Sequence, residues 1–198
     1  MSERFVLATA NPDKAAEISA VLGDRFDLVP RPVAVPDVEE DADTLEGNAL
    51  LKARALCKAT GDAALGDDTG LEVDALGGRP GVRSSRYAGE HATYADNVAK
   101  LLGEMDGVPR ADRGARFRTV AVAVHPDGRE VVAAGEVVGH ISTEAAGEGG
   151  FGYDPVFVPA ETGGRTLAQL TADEKNAISH RGRAFRALAE LLATGSGG

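Results

Sequence analysis

The run Gly149-Gly150-Phe151-Gly152-Tyr153-Asp154-Pro155 joins backbone freedom to two rings and a carboxylate. Three glycines in four positions exceed what a surface turn needs, and they suit backbone brought close to something flat or bulky. Phe151 and Tyr153 could supply a stacking face, and Asp154 an acceptor that fixes orientation. Lys14 is a second signal. It follows Asn11-Pro12, a good N-cap and first helical residue, and so falls at the positive end of a helix dipole. A cation there is mildly unfavourable unless an anion lies nearby. The turn Thr9-Ala10-Asn11 and the helix start also present backbone N–H groups, the general construction of a phosphate cradle.

The pattern recurs near the C-terminus, where Ser179 is an N-cap that puts His180 and Arg181 in a first helical turn, with Lys175 one turn upstream. Arg181 could grip a phosphate or a base edge in a fork, while Lys175 acts as a point charge. Taken together these three residues favour contact with an anion or a base. Asp67 and Asp68 are neighbours at a strand end opening into Thr69-Gly70. Neighbours in extended backbone point to opposite faces, so one should face a cleft and the other should brace the turn. A polyphosphate ligand carries Mg²⁺, which takes hard oxygens and usually one or two protein carboxylates. Glu39 and Glu40, on a proline-flanked segment, could provide the second ligand.

The elements that must position these groups alternate. Phe5 to Ala8 reads as a buried strand, followed by a helix with Ala15, Ile18, Val21 and Leu22 as its apolar stripe and Gly23 as its stop. A strand from Phe26 to Val29, a connector with Pro30, Pro32 and Pro36, and the acidic run Asp37 to Asp43 come next. Thr44 caps a helix over Leu45 to Thr60, stopped by Gly61. Ala63 to Gly66 reads as a strand that turns at Asp67-Asp68-Thr69-Gly70 into the alternating Leu71 to Ala75. Gly77 to Gly81 reads as loop. Thr93 and Asp96 make a capping box for a helix carrying Val98, Leu101, Leu102 and Met105. Phe117 to Val124 and Glu130 to Ile141 form a hairpin through Pro126-Asp127-Gly128. Val156 to Val158 is a strand, Thr171 with Glu174 a capping box, and Ala184, Phe185, Leu188, Leu191 and Leu192 the stripe of a final helix. Gly195 to Gly198 reads as a frayed tail. The alternation, with one long hairpin, indicates an α/β protein with a mixed sheet.

A chain of 198 residues suits one domain, or one domain with a cleft between two lobes, and no linker divides it. The net charge of −10 argues against non-specific binding to nucleic acid or an anionic membrane. It also means that a small anionic ligand needs local cations or a divalent metal. No apolar run reaches the roughly 18 residues of a membrane span, and the start Met1-Ser2-Glu3-Arg4 lacks the basic and apolar regions of a signal peptide. The single cysteine, Cys57, fits a reducing cytoplasm and reads as a packing residue.

With Thr9-x-Asn11-x-x-Lys14, Glu39-Glu40, Asp67 to Leu71, Phe151 to Asp154 and Lys175-x4-His180-Arg181 in order, the chain resembles the inosine/xanthosine triphosphate pyrophosphatases. The likeness runs from about Phe5 to the last helix and includes Glu46-x-Asn48-Ala49-x-x-Lys52-Ala53, Pro80-Gly81, Ser85-Arg86-Tyr87 and Glu174 to Gly182. The resemblance implies a long, curved mixed β-sheet flanked by helices as two lobes, with the nucleotide in a central cleft, and usually a homodimer. It implies Mg²⁺-assisted hydrolysis of non-standard purine triphosphates to the monophosphate and pyrophosphate. Carried over by motif, Thr9, Asn11 and Lys14, with Ala10, Pro12 and Asp13 in the same segment and Lys175 helping, would bind substrate phosphates. Glu40, with Glu39 as an alternative or companion, and Asp68 would hold Mg²⁺, and Asp68 would be the base. Thr69 would line the site. Phe151, Gly152, Tyr153 and Asp154, with His180 and Arg181, would hold the base. Two departures stand out: Ala10 replaces the usual Gly, and Asp41-Ala42-Asp43 replaces a common Thr/Ser-Gly. A hydrolase with another base preference, such as one for modified pyrimidine triphosphates, is the runner-up. A nucleotide-binding regulator would need a broken acid cluster, and a nucleic-acid module is disfavoured by charge.

Overall fold

Asn11 begins the first helix by accepting hydrogen bonds on its own side chain from Asp13 N (2.9 Å) and Lys14 N (3.3 Å), as its position before Pro12 predicts. The computed structural model describes residues 2–195. In chain order these form β1 (Arg4–Leu7), α1 (Pro12–Leu22), β2 (Asp27–Val29), α2 (Leu45–Thr60), β3 (Ala64–Val73), β4 (Pro80–Gly81) and α3 (Tyr94–Glu104), then β5 (Gly114–Val124), β6 (Glu130–Ile141), β7 (Phe157–Pro159), α4 (Ala172–Ile178) and α5 (His180–Gly195). Thr44 caps α2 through Gly47 N, and Gly61 closes it at a φ of 74°. The capping boxes of Thr93 with Asp96 and of Thr171 with Glu174 are both formed. Of the expected tail, Gly195 is the last residue of α5, and 196–198 lie outside the described residues.

The sheet is mixed, in the order β2-β1-β3-β5-β6-β7 with β4 paired to β3. β1 runs parallel to β2 and β3, while β4 and β7 are antiparallel to their partners. Two expectations fail here. Pro80 and Gly81, read as loop, pair with β3 as the strand β4. Asp67 to Gly70 is not a turn: it is the middle of the ten-residue strand β3. Gly and Asp disfavour strands when exposed, but here each has a reason for its place. A Cβ on Gly66 would meet the backbone oxygen of Ala49 at 2.7 Å, so glycine lets α2 lie close on β3. Both carboxylates meet cations, as described below.

The chain divides into two compact units, each assembled from separate segments. The first comprises Met1–Asp68, Thr119–Gly135 and Ser179–Gly198. Its core joins Phe5 and Leu7 of β1, Ile18 and Leu22 of α1, Leu65 of β3, and Phe185, Leu188 and Leu192 of α5. Phe26 meets Phe5 edge-on at 5.3 Å, and Cys57 is buried as a free thiol. The second comprises Thr69–Arg118 and Glu136–Ile178. Leu71, Leu101, Met105, Phe117, Ile141, Phe157 and Leu167 pack in its core. Its Arg113 is buried, donating to the carbonyls of Ile141, Met105 and Ser142 at 2.8 Å each. Among the described residues no helix is long and apolar enough to cross a membrane.

Candidate active site

Alternation along β3 sends Asp67 and Asp68 to opposite faces, and each meets its own cations. Asp67 is enclosed. Its Oδ2 lies 3.4 Å from Lys14 Nζ of α1 and accepts from Arg181 Nε of α5 at 3.2 Å. Arg181 also binds Glu17, one turn along α1 from Lys14. The anion that a lysine at the start of α1 requires is therefore Asp67. Burial opposes ionisation of Asp67, but Lys14, Arg181 and Lys52 outweigh it and hold its pKa well below the usual carboxylate range. Burial conversely pulls Lys14 down, against the attraction of Asp67.

Asp68 has a different setting. Its Oδ1 accepts from Lys52 Nζ of α2 at 3.1 Å, and Asn48 Nδ2, one turn back on the same helix, approaches Oδ2 at 3.4 Å. Lys52 also reaches Glu40 Oε1 at 3.3 Å. Asn48 Oδ1 accepts from Ala42 N at 3.0 Å, which ties the acidic segment to α2. Burial raises the pKa of Asp68 in spite of Lys52. One of two adjacent carboxylates is thus a fixed anion, and the other is a better proton acceptor.

Several expected ligands have other duties. The N–H groups of Asn11, Asp13 and Lys14, expected to line a phosphate cradle, bond to the side chains of Thr9 (3.1 Å) and Asn11 (2.9 and 3.3 Å). Between them Ala10 is exposed and Pro12 opens α1. Ser179 caps α5 by accepting from Gly182 N at 3.0 Å. His180 is buried with Nδ1 at 2.7 Å from Thr119 Oγ1. Arg181, read as a fork for a phosphate or a base, turns that fork to Asp67 and Glu17, because the packing of α1 on α5 buries it beside them. Glu39 is exposed, whereas Glu40 is half-buried against Lys52.

In the second unit the glycine run folds around Asp154. Its Oδ2 accepts from Phe151 N at 2.8 Å and binds the ammonium of Lys175, which lies 4.6 Å from the Phe151 ring centre. A Cβ on Gly150, whose φ is +69°, would run into the Asp154 carboxylate. Tyr94 flanks Phe151 at 5.9 Å. Of the two expected stacking rings only Phe151 is half-open. Tyr153 is buried, its hydroxyl donating to Ser84 O at 2.9 Å, and burial raises its pKa. Lys175, expected near phosphate, instead holds Asp154. Thr69 is half-buried on β3 beside Asp68, and Gly152 adopts a φ of +63°.

Among the described residues no three His, Cys, Asp or Glu side chains gather as a preformed metal cluster. Mg²⁺ needs less from the protein, one or two carboxylates with water and phosphate oxygens completing its octahedron. Asp68 and Glu40, which share one cation, fit that need. Asp67 Oδ1, buried without a hydrogen-bond partner, leaves a further hard oxygen beside them in sequence. Reasoning from sequence gave no role to Lys52 and Asn48. Their signal was the spacing of four on a capped helix, which sets both on one face.

Fold and site define an α/β protein with a partly buried carboxylate–ammonium centre at the middle of a mixed sheet. A model of the Ham1 family matches residues 5–191, and the chain belongs to that family. A dITP/XTP pyrophosphatase of Nitratidesulfovibrio vulgaris is 50% identical over 94% of each chain, and one of Streptomyces coelicolor is 47% identical over 96% of each. A HAM1 protein of Coxiella burnetii superposes with a TM-score of 0.87 at 40% identity, over 97% of this chain and 99% of that one. A nucleoside-triphosphatase, dITP/XTP pyrophosphatase, of Mycobacterium abscessus gives a TM-score of 0.73 at 46% identity, over 96% and 99%.

Proposed function

We propose that this chain hydrolyses deaminated purine nucleoside triphosphates (ITP, dITP and XTP) between the α and β phosphates, with Mg²⁺, as a homodimer in the cytoplasm. The carrying observation is the divided carboxylate pair on β3, one member held ionised by Lys14 and Arg181, the other raised by burial beside Lys52. The dITP/XTP pyrophosphatase activity of its near full-length relatives supports the same reading.

Pyrophosphate is a highly charged leaving group, so the work is charge neutralisation, positioning and activation of water. Asp68 and Glu40 would hold Mg²⁺, which supplies Lewis-acid stabilisation of the phosphate charge when bound. Asp68 takes the proton of the attacking water, since Asp67 is enclosed by Lys14 and Arg181. Asp67 keeps Lys14 charged and aimed, and Lys14 and Lys52 meet the phosphates. Phe151, held by Asp154 and Lys175, stacks on the base. Hypoxanthine and xanthine carry a carbonyl at C6 where adenine carries an amino group. A site of donors therefore accepts the former and opposes donor to donor for the latter.

The test is a screen of ITP, dITP, XTP, GTP and ATP with Mg²⁺, assaying pyrophosphate against orthophosphate. Monophosphate and pyrophosphate should appear in equal amounts, and ATP should be turned over at least ~100-fold less efficiently than ITP. Asp68→Asn should lower kcat by ~10²–10⁴. Stepwise release of orthophosphate, or normal turnover by Asp68→Asn, refutes the reading.

A further inference from the structure

The two carboxylates of β3 differ in how firmly their cations are held. Asp67 is bound by a guanidinium that cannot leave, since Arg181 is itself pinned by Glu17 and its side chain is 2% exposed. Asp68 and Glu40 are joined by the ammonium of Lys52, a point charge on a flexible four-carbon stem. The Asn48 amide adds one long contact of 3.4 Å. Glu40, with its side chain 31% exposed, sits on a segment without regular structure, whereas the side chain of Asp68 is 9% exposed. Lys52 Nζ approaches Asp68 Oδ1 at 3.1 Å and Glu40 Oε1 at 3.3 Å. Asp68 and Glu40 are the carboxylates that would hold a divalent ion. An ammonium and a divalent ion cannot share them without severe repulsion.

We propose that Lys52 is a placeholder cation: it competes with free metal for Asp68 and Glu40, and a divalent ion binds only by displacing it. The inference rests on the reading above that these two carboxylates hold the metal. Free metal then binds weakly, because it must expel the ammonium that joins the two carboxylates. Metal arriving with a polyphosphate binds well, because the displaced ammonium has a new anion to meet. Lys52 therefore couples metal to nucleotide and keeps the metal seat charge-balanced between turnovers. A purely structural ion pair would behave in the opposite sense, since loss of Lys52 would loosen Glu40 and weaken any metal held there.

The experiment is titration of the full chain with Mn²⁺ alone, free ion being followed by electron paramagnetic resonance. Wild type, Lys52→Gln and Asp68→Asn are compared. Lys52→Gln should bind Mn²⁺ at least about tenfold more tightly than wild type, the effect of removing one competing charge at contact distance. Asp68→Asn should lose most of the binding. A crystal structure of the wild type with Mn²⁺ should show Lys52 Nζ withdrawn from between Asp68 and Glu40, and this holds the proposal to account even where Lys52→Gln does not fold. Equal or weaker Mn²⁺ binding by Lys52→Gln, or Nζ still bridging the two carboxylates beside a bound ion, overturns the placeholder role alone. Mn²⁺ binding that survives Asp68→Asn intact, or is missing from every protein, overturns the metal assignment and the placeholder with it.

Discussion

Replacing Asp67 with Asn removes one charge and almost no volume from the most enclosed ion cluster of the first unit. Two cations lose their partner at 3.4 and 3.2 Å, and at an effective dielectric constant near 20 each contact is a gross attraction of roughly 5 kcal/mol. Two effects reduce the net cost. The neutral amide is cheaper to bury than the carboxylate, and Arg181 keeps Glu17 while Lys14, its side chain 19% exposed, regains some water. Breaking a buried pair costs about 3–5 kcal/mol, and these offsets place Asp67→Asn at the low end, near 3 kcal/mol. For a chain of this size that is a fall in Tm of roughly 6–12 °C. Asp68→Asn should shift Tm by no more than about 3 °C, because burial already disfavours its charge and Lys52 retains Glu40. Thermal melts and urea unfolding of both variants decide the matter. If Asp67→Asn melts with wild type while Asp68→Asn melts far below it, the division of the two carboxylates into brace and base is wrong.

Other outcomes follow from single contacts. Lys175→Met frees Asp154 and the Phe151 loop without touching the carboxylate pair, so KM for ITP should rise severalfold or more with kcat within about threefold, and steady-state kinetics read the split. Burial, with Arg129 beside it, lowers the pKa of His125 in the folded chain. The unfolded chain therefore binds more protons, so stability is full above the ordinary histidine value of about 6.5 and falls as pH drops below it. His125→Leu should flatten urea-midpoint profiles between about pH 7 and 5, and an unchanged slope refutes the assignment. Gly66→Ala should destabilise by about 1–3 kcal/mol in chemical denaturation, since its methyl meets a helix backbone oxygen at 2.7 Å.

Where structure is decided by bonds a few residues long, the sequence is a sufficient guide. The caps at Asn11, Thr44, Thr93 and Thr171, the stop at Gly61, and the hairpin through Gly128, with its φ of +88°, all form as their local chemistry requires. β3 shows the limit. Gly66, Asp67, Asp68 and Gly70 carry the composition of a turn, and only Lys14, Lys52 and Arg181, from three helices, make it a buried strand. Arg181 is another case. Its place at a helix start is legible, but the direction of its fork depends on Glu17 and Asp67, more than a hundred residues away along the chain. Tyr153 likewise reads as an open ring until its hydroxyl is seen to reach Ser84. The segments that form the site were visible, while the allocation of each charge among them was set by tertiary packing.

The discontinuous make-up of the first unit has a consequence for synthesis on the ribosome. β1 and α1 emerge first, yet the core they join is completed by Phe185, Leu188 and Leu192 of α5. Domains generally fold as units, N-terminal parts first, once their contacts are available. Here an earlier segment must wait for a much later one. Until α5 has cleared the exit tunnel, Asp67 also lacks its guanidinium, so the nascent chain holds an uncompensated carboxylate where the finished protein has a locked one. Asp67 of β3 gains its guanidinium only when α5 joins the core of the first unit.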